Sequence, residues 1–219
     1  MGMPILCYGK SGSGKSRSLK FFAEDEILLI NIEGKELPFR NTFKYRVRTD
    51  SLDTIISQIQ KMPCKIAVID DAGYLMTHHF MDNHRNKKGN ASFDMYDEIA
   101  DKMYFLVKRI KNEVPEDVTV YIMLHEDTND IGETKLRTIG KLIDNKVCLE
   151  GMVTVCIRCM SDNGKHFFRT QTDGFDITKT PEDMFTEEEV EIDNNLKFVD
   201  DRVREFYGLP KTTKEEKKK

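Results

Sequence analysis

Directly behind the apolar run 3–8 (MPILCY) stands Gly9-Lys10-Ser11-Gly12-Ser13-Gly14-Lys15-Ser16, which fits G-x-x-x-x-G-K-[ST]. No other segment restricts the fold as much. The pattern has meaning only where a strand delivers the chain into the glycine loop and a helix takes it out, and the helical spacing over 15–23 completes that order. The glycines let the backbone wrap a phosphate with its N–H groups, and the helix start adds partial positive charge. Lys15 can then reach the β- and γ-phosphates and Ser16 can ligate Mg²⁺. Residues Gly9, Lys10, Ser11, Gly12, Ser13, Gly14, Lys15 and Ser16 are therefore the predicted nucleotide site, with ATP and Mg²⁺ as its cofactors.

The following residues alternate between two patterns. The runs 27–32 (ILLINI), 66–69 (IAVI) and 118–124 (VTVYIML) are short, rich in Ile, Leu and Val, and lack polar alternation, as expected of strands buried on both faces. Helical spacing appears between them at 51–61 (Leu52, Ile55, Ile56, Ile59) and 93–111 (Met95, Ile99, Met103, Leu106, Val107, Ile110). This predicts an α/β fold: a mainly parallel sheet with helices on both faces. After residue 151 two β-like runs, 152–160 and 166–171, are joined by Ser161-Asp162-Asn163-Gly164, where Asn-Gly supplies the positive φ of a tight hairpin.

Of the 219 residues 39% are hydrophobic, a composition that builds a core without metal or disulfide. Five scattered cysteines (Cys7, Cys64, Cys148, Cys156, Cys159) argue for a reducing compartment. No apolar run approaches the roughly 18 to 20 residues of a membrane helix. The strand-like run at Met3 leaves no room for a signal peptide, so the expectation is a cytoplasmic chain with no membrane partner. The net charge of −4 is unevenly placed: residues 182–219 hold twelve acids against eight bases, while residues 1–181 are neutral. The chain accordingly divides into a core, 1–175, and a segment 176–219 composed of an acidic linker, a short amphipathic helix and a disordered basic end.

Ile66-Ala67-Val68-Ile69 ends in Asp70-Asp71, the form of the carboxylate that holds Mg²⁺ beside a phosphate loop, so Ser16 and Asp70 are the predicted metal ligands. A group that orients the attacking water belongs at the carboxyl end of a strand, where ligands bind in open α/β sheets. Glu33, His125 and Glu126 stand at such ends. Cys156-Ile157-Arg158-Cys159 lies in a strand-like run, where residues three apart point to opposite faces, and reads as structural. His78, His79 and His84 lack the spacing of a metal site.

This order of elements resembles the RecA-like recombinase ATPases, and specifically the short phage-encoded RecA-like ATPases associated with single-strand annealing recombination. The resemblance covers about residues 3–172; Thr180-Pro181-Glu182-Asp183-Met184-Phe185 and a final helix over 194–207 are also similar to the phage group. It implies a RecA-like P-loop NTPase core with a C-terminal β-hairpin and helical tail. Its implied catalytic set is Lys15, Glu33 and His125: Ile32-Glu33-Gly34 stands at the place of the family's catalytic glutamate, and His125 at that of the polar γ-phosphate sensor, a glutamine in the bacterial recombinase. Two DNA-facing loops are implied, 78–90 with Arg85, Lys87 and Lys88, and 126–139 with Lys135 and Arg137. The resemblance further implies a homo-oligomeric ring or filament on single-stranded DNA in the host cytoplasm, promoting annealing or strand exchange. Lys165 and Arg169 stand where a cation could reach a neighbour's ATP, but an ordinary surface charge on a strand is the preferred reading; the acidic tail could recruit a single-strand binding protein. Two rival readings are a P-loop nucleotide or small-molecule kinase and a nucleotide-dependent interaction module.

Overall fold

In the computed structural model, which describes residues 1–87, 89–140 and 147–212, the four apolar runs are the central strands of one sheet. They are β1 (Met3–Gly9), β2 (Ile27–Asn31), β4 (Ile66–Asp70) and β5 (Thr119–Thr128); β3 (Tyr45–Arg48) adds an edge, and β6 (Thr134–Leu136) pairs with β5 alone. The predicted hairpin is β7 (Cys156–Asp162) with β8 (Lys165–Arg169), turning through Asn163 and Gly164 at φ 47° and 79°. A further strand, β9 (Glu191–Asp193), follows on β8. The order is β3-β2-β4-β5-β1-β7-β8-β9. Pairs from β3 to β7 are parallel, and β6, β8 and β9 join antiparallel. Pro4 is tolerated in this centre because its missing N–H falls on the β7 side, where pairing begins only at Leu6.

Alternate residues of each central strand feed two cores. Leu6, Tyr8, Ile30, Ile69 and Ile122 face α1 (Leu52–Lys61), α2 (Tyr74–Asn83) and α3 (Asn90–Glu113). The buried positions of α1 and α3 are those their spacing predicts, and Ser51 caps α1 by accepting from the Thr54 N–H at 3.4 Å. Ile5, Cys7, Leu29, Val68 and Tyr121 face the other way, onto Leu19, Phe22, Met184, Phe185 and the helix α4 (Leu196–Tyr207). Cys156 and Cys159 fall into opposite cores, as a strand requires.

Four expectations need correction. The helix predicted over 15–23 is a 3-10 helix, Ser16–Phe21: the Ser18 hydroxyl donates to the Lys15 carbonyl at 2.6 Å, and the Ser18 N–H is shared between the Gly14 and Lys15 carbonyls, which tightens the turn. Much of the predicted loop 78–90 is helical, because Leu75 and Met76 are buried and Phe80 packs on the same core, extending α2 to Asn83. The predicted loop 126–139 begins as a hairpin: β5 continues to Thr128, and the Asn129 side chain closes the turn by accepting from the Ile131 and Glu133 N–H groups. The segment read as an acidic linker contains β9 and packs Thr178, Met184, Phe185 and Ile192 into the protein, with Thr178 hydrogen-bonded to Tyr8 at 2.7 Å. Residues 213–219, the predicted disordered end, lie outside the described residues. Among the described residues no helix is long and apolar enough to cross a membrane.

A buried ion pair fixes α4. Arg204, 1% exposed, donates to Asp200 at 2.6 Å, to the Lys65 carbonyl at 2.9 Å and to the Asp117 carbonyl at 3.2 Å, the residues leading into β4 and β5. Asp200 also accepts from Thr119 at 2.7 Å and Tyr121 at 3.0 Å. Removing the cation strands a carboxylate in the core, so Arg204→Ala should lower stability by about 3 to 5 kcal/mol. Urea titration checks this as a lower midpoint at unchanged slope.

Candidate nucleotide site

The register sets Gly9 beside His125 and Asn31 beside Asp70, so the ends of β1, β5, β2 and β4 meet at one edge of the sheet. A cleft of ≈ 340 Å³ opens there, lined by residues that include Ser11, Gly12, Gly14, Lys15, Ser16, Asp70, Asp71 and His125. The loop presses against the C-terminal hairpin. A Cβ on Gly9 would stand 2.2 Å from the Cys159 carbonyl oxygen, and one on Gly14, at φ 108°, would stand 2.9 Å from His166 Nδ1.

Lys15, 6% exposed, folds back over the loop, donating to the Gly9 and Lys10 carbonyls at 2.8 and 2.9 Å and standing 3.4 Å from His125 Nδ1. Burial draws its ammonium below the ordinary lysine value. Ser16 Oγ donates to both Asp70 oxygens, at 3.0 and 2.9 Å. Burial and the neighbouring Asp71 carboxylate push Asp70 upward. Asp71 shifts the opposite way: burial opposes its ionisation, but hydrogen bonds from His125 and Lys35 outweigh it and hold the carboxyl at about 2. His125 Nε2 lies 3.2 Å from Asp71 Oδ1, and Lys35 Nζ lies 2.5 Å from Oδ2. Lys15, His125, Asp71 and Lys35 thus form one continuous chain, with His125 presenting Nε2–H to Asp71 and the Nδ1 lone pair to Lys15.

These residues fit a nucleotide phosphate and Mg²⁺. Ser13 Oγ is buried in the loop without a hydrogen-bond partner, a hydroxyl waiting for an acceptor. Ser16 and Asp70 present adjacent oxygen donors of the kind Mg²⁺ prefers, and a carboxylate disfavoured by burial gains from a cation. Ser16 and Asp70 would hold the ion, and Lys15 with the loop N–H groups would hold the phosphates.

Other predicted residues lie elsewhere. Glu33 is not among the residues lining the cleft; its carboxylate bonds His78 Nε2 at 3.1 Å, and His78 Nδ1 lies 3.1 Å from Asp50. Glu126 is clamped by Arg158 at 2.8 and 2.9 Å, and Arg158 also reaches Asp176 at 3.2 Å, so this carboxylate is a structural partner. Arg169 pairs within its own chain with Asp173 and with Glu191. Arg85 is exposed after α2, while Lys87 bonds Glu98 at 2.5 Å; Lys88 lies outside the described residues. Lys135 and Arg137 are exposed on and just after β6. Sequence reasoning missed Lys35, two residues beyond Glu33, and His166, whose Nδ1 lies 2.8 Å from the Ser13 carbonyl oxygen. A second cleft of ≈ 290 Å³ beside the hairpin is lined by Asp127, Glu133 and Glu150 together with Lys135.

Asp71→Asn removes the charge while keeping a side chain that tolerates the φ of 57° at this position. The folded carboxyl titrates at about 2 against an ordinary 3.8, so its stabilising contribution is present above the higher value and is lost as pH falls toward the lower. Urea midpoints measured at several pH values should show the variant less stable at neutral pH and less sensitive than the parent to acidification across that window.

The curated proteins contain no match to this chain. The family model described as an AAA domain matches residues 1–181, and with the phosphate loop, the Ser16–Asp70 pair and the parallel sheet in place, the chain belongs to the AAA-domain family of P-loop ATPases.

Proposed function

We propose that this ATPase acts on single-stranded DNA as a phage recombination protein, coupling its nucleotide state to annealing or strand exchange in a ring or filament. The observation that carries the reading is the backbone path from the phosphate cleft to Lys135 and Arg137, two exposed cations at a hairpin that also bears Asp127, Asp130 and Glu133. His125, in contact with Lys15 and Asp71, is part of β5, and its carbonyl accepts the Arg137 N–H at 2.7 Å. Three residues later β5 ends in the turn to β6, which carries Lys135. A change at His125 is therefore transmitted through backbone hydrogen bonds to side chains able to track a phosphate backbone. The order of elements shared with the RecA-like recombinases supports the same reading. It is favoured over a kinase because β5 lies between β1 and β4, with His125 between Lys15 and Asp71 where a side chain could register the terminal phosphate.

In this reading the loop N–H groups and Lys15 hold the phosphates, and His125 registers the terminal one. Bound Mg²⁺ supplies charge neutralisation on the phosphate oxygens. Glu33 aligns the attacking water after leaving His78. Glu33→Gln should retain nucleotide affinity and lower turnover by about 10² or more, the range expected when a general base is lost. Steady-state phosphate release alongside nucleotide titration separates the two effects.

Fluorescence anisotropy of labelled single-stranded DNA, with Mg²⁺ and a non-hydrolysable ATP analogue, tests the function. Binding should strengthen with the analogue, and the double variant Lys135→Ala, Arg137→Ala should weaken it on every sequence, flattening the salt dependence by about 1.4 in log–log slope at roughly 0.7 per lost contact. No binding at low salt, or phosphate transfer to a nucleoside monophosphate instead of hydrolysis, would sink the proposal.

A further inference from the structure

The turn that follows β2 holds Lys35 at the phosphate cleft. Asn31 ties the turn from within, its Oδ1 accepting the Gly34 N–H at 2.7 Å and its Nδ2 donating to the Lys35 carbonyl at 2.5 Å. Gly34 has φ 78°, and a Cβ there would lie 2.4 Å from Arg48 Nε, so Arg48 closes the turn from outside. With the turn held on both sides, the Lys35 ammonium meets Asp71 and its side chain lines the same cleft as Lys15, Ser16 and Asp70.

The Lys35–Asp71 pair is a poor explanation of this construction by itself. The lysine side chain remains 57% exposed although Asp71 is buried, so its ammonium stays within reach of a ligand entering the cleft. Asp71 already has His125 as a hydrogen-bonding partner. Asp70, Asp71 and Glu36 all line the cleft, but Asp70 accepts from Ser16 and Glu36 pairs with Arg46, so the cation that an incoming polyphosphate would draw from a cleft carboxylate is Lys35, held by Asp71. The Lys35 ammonium has three donors on a flexible stem and can turn to a new acceptor without the turn moving.

We propose that Lys35 is a phosphate-binding residue for the terminal phosphate of a nucleoside triphosphate, resting on Asp71 and passing to the γ-phosphate when the cleft is filled. The inference rests on the nucleotide site described above and adds to it a group that distinguishes a triphosphate from a diphosphate. Lys15 and the loop serve both nucleotides; Lys35 serves the one that carries the extra phosphate.

Calorimetric titration of the full chain with Mg²⁺ and either ADP or a slowly hydrolysed ATP analogue, for the parent, Lys35→Gln and Lys35→Arg, tests this. Lys35→Gln should weaken the triphosphate about tenfold more than ADP, as for loss of one charge-assisted hydrogen bond, and Lys35→Arg should restore most of the difference. Equal losses for both nucleotides, or none, overturn the assignment, as does a triphosphate loss that follows a fall in the ligand-free melting temperature. A parent that binds neither nucleotide would instead overturn the nucleotide site on which the inference rests.

Discussion

The central strands carry apolar side chains on both faces, and each face requires a cover. The middle of the chain covers one face with α1, α2 and α3. The other receives the short 3-10 helix after the phosphate loop together with Leu37 and Phe43, and α4 comes back from the far end of the sequence, with Met184 and Phe185 ahead of it, to complete the cover. Leu196, Val199 and Val203 are fully buried there. At roughly 1.5 to 3 kcal/mol each, they contribute an amount comparable with the entire net stability of a domain, about 5 to 15 kcal/mol. The Arg204–Asp200 pair adds direction to this burial, because its hydrogen bonds reach backbone carbonyls at the amino ends of β4 and β5. The strands anchored in this way are those whose opposite ends present Asp70 and His125.

At that opposite edge the strand order decides the chemistry. With β5 between β1 and β4, His125 separates Lys15 from Asp71, and Ser16 occupies Asp70. The ligand-free site therefore keeps a buried ammonium and a buried carboxylate that are both disfavoured by desolvation. A polyphosphate relieves the first and a divalent cation the second, so the cost of burial is offset when both arrive together. Donors already oriented by the loop need little rearrangement at that moment, which is how fixed dipoles favour a developing charge.

Features written in neighbouring residues were legible in the sequence: the glycine loop, the Asp70-Asp71 strand end, the apolar stripes of α1 and α3, and the Asn-Gly hairpin. Features that need a distant partner were not. His166 meets the loop across 153 positions, and Glu126 is neutralised by Arg158 from another strand. Lys35 has no local signature, since its direction depends on Asn31 and on Arg48 packing against Gly34. Competing local signals explain other differences. The polar, basic stretch 78–90 suggested a loop although Leu75, Met76 and Phe80 supply the buried side of α2, and β9 offers one apolar residue, Ile192, within an acidic run.

The acidic stretch shows why composition misled about the chain's end. Its carboxylates have specific structural partners: Glu189 accepts the Thr186 N–H at 2.9 Å and pairs with Arg202 at 2.6 Å, Glu191 pairs with Arg169, and Asp200 with Arg204. A run of acids without such partners repels itself and stays extended, but here each of these charges fastens the returning segment to the sheet or to α4. The apolar residues that follow then supply the burial that the charges alone could not. Beyond a Debye length of about 8 Å such paired charges contribute little field. The net −4 therefore does not set the potential at the phosphate cleft, where the local balance of Lys15, Arg17 and Lys35 against Glu36, Asp70 and Asp71 governs what can bind.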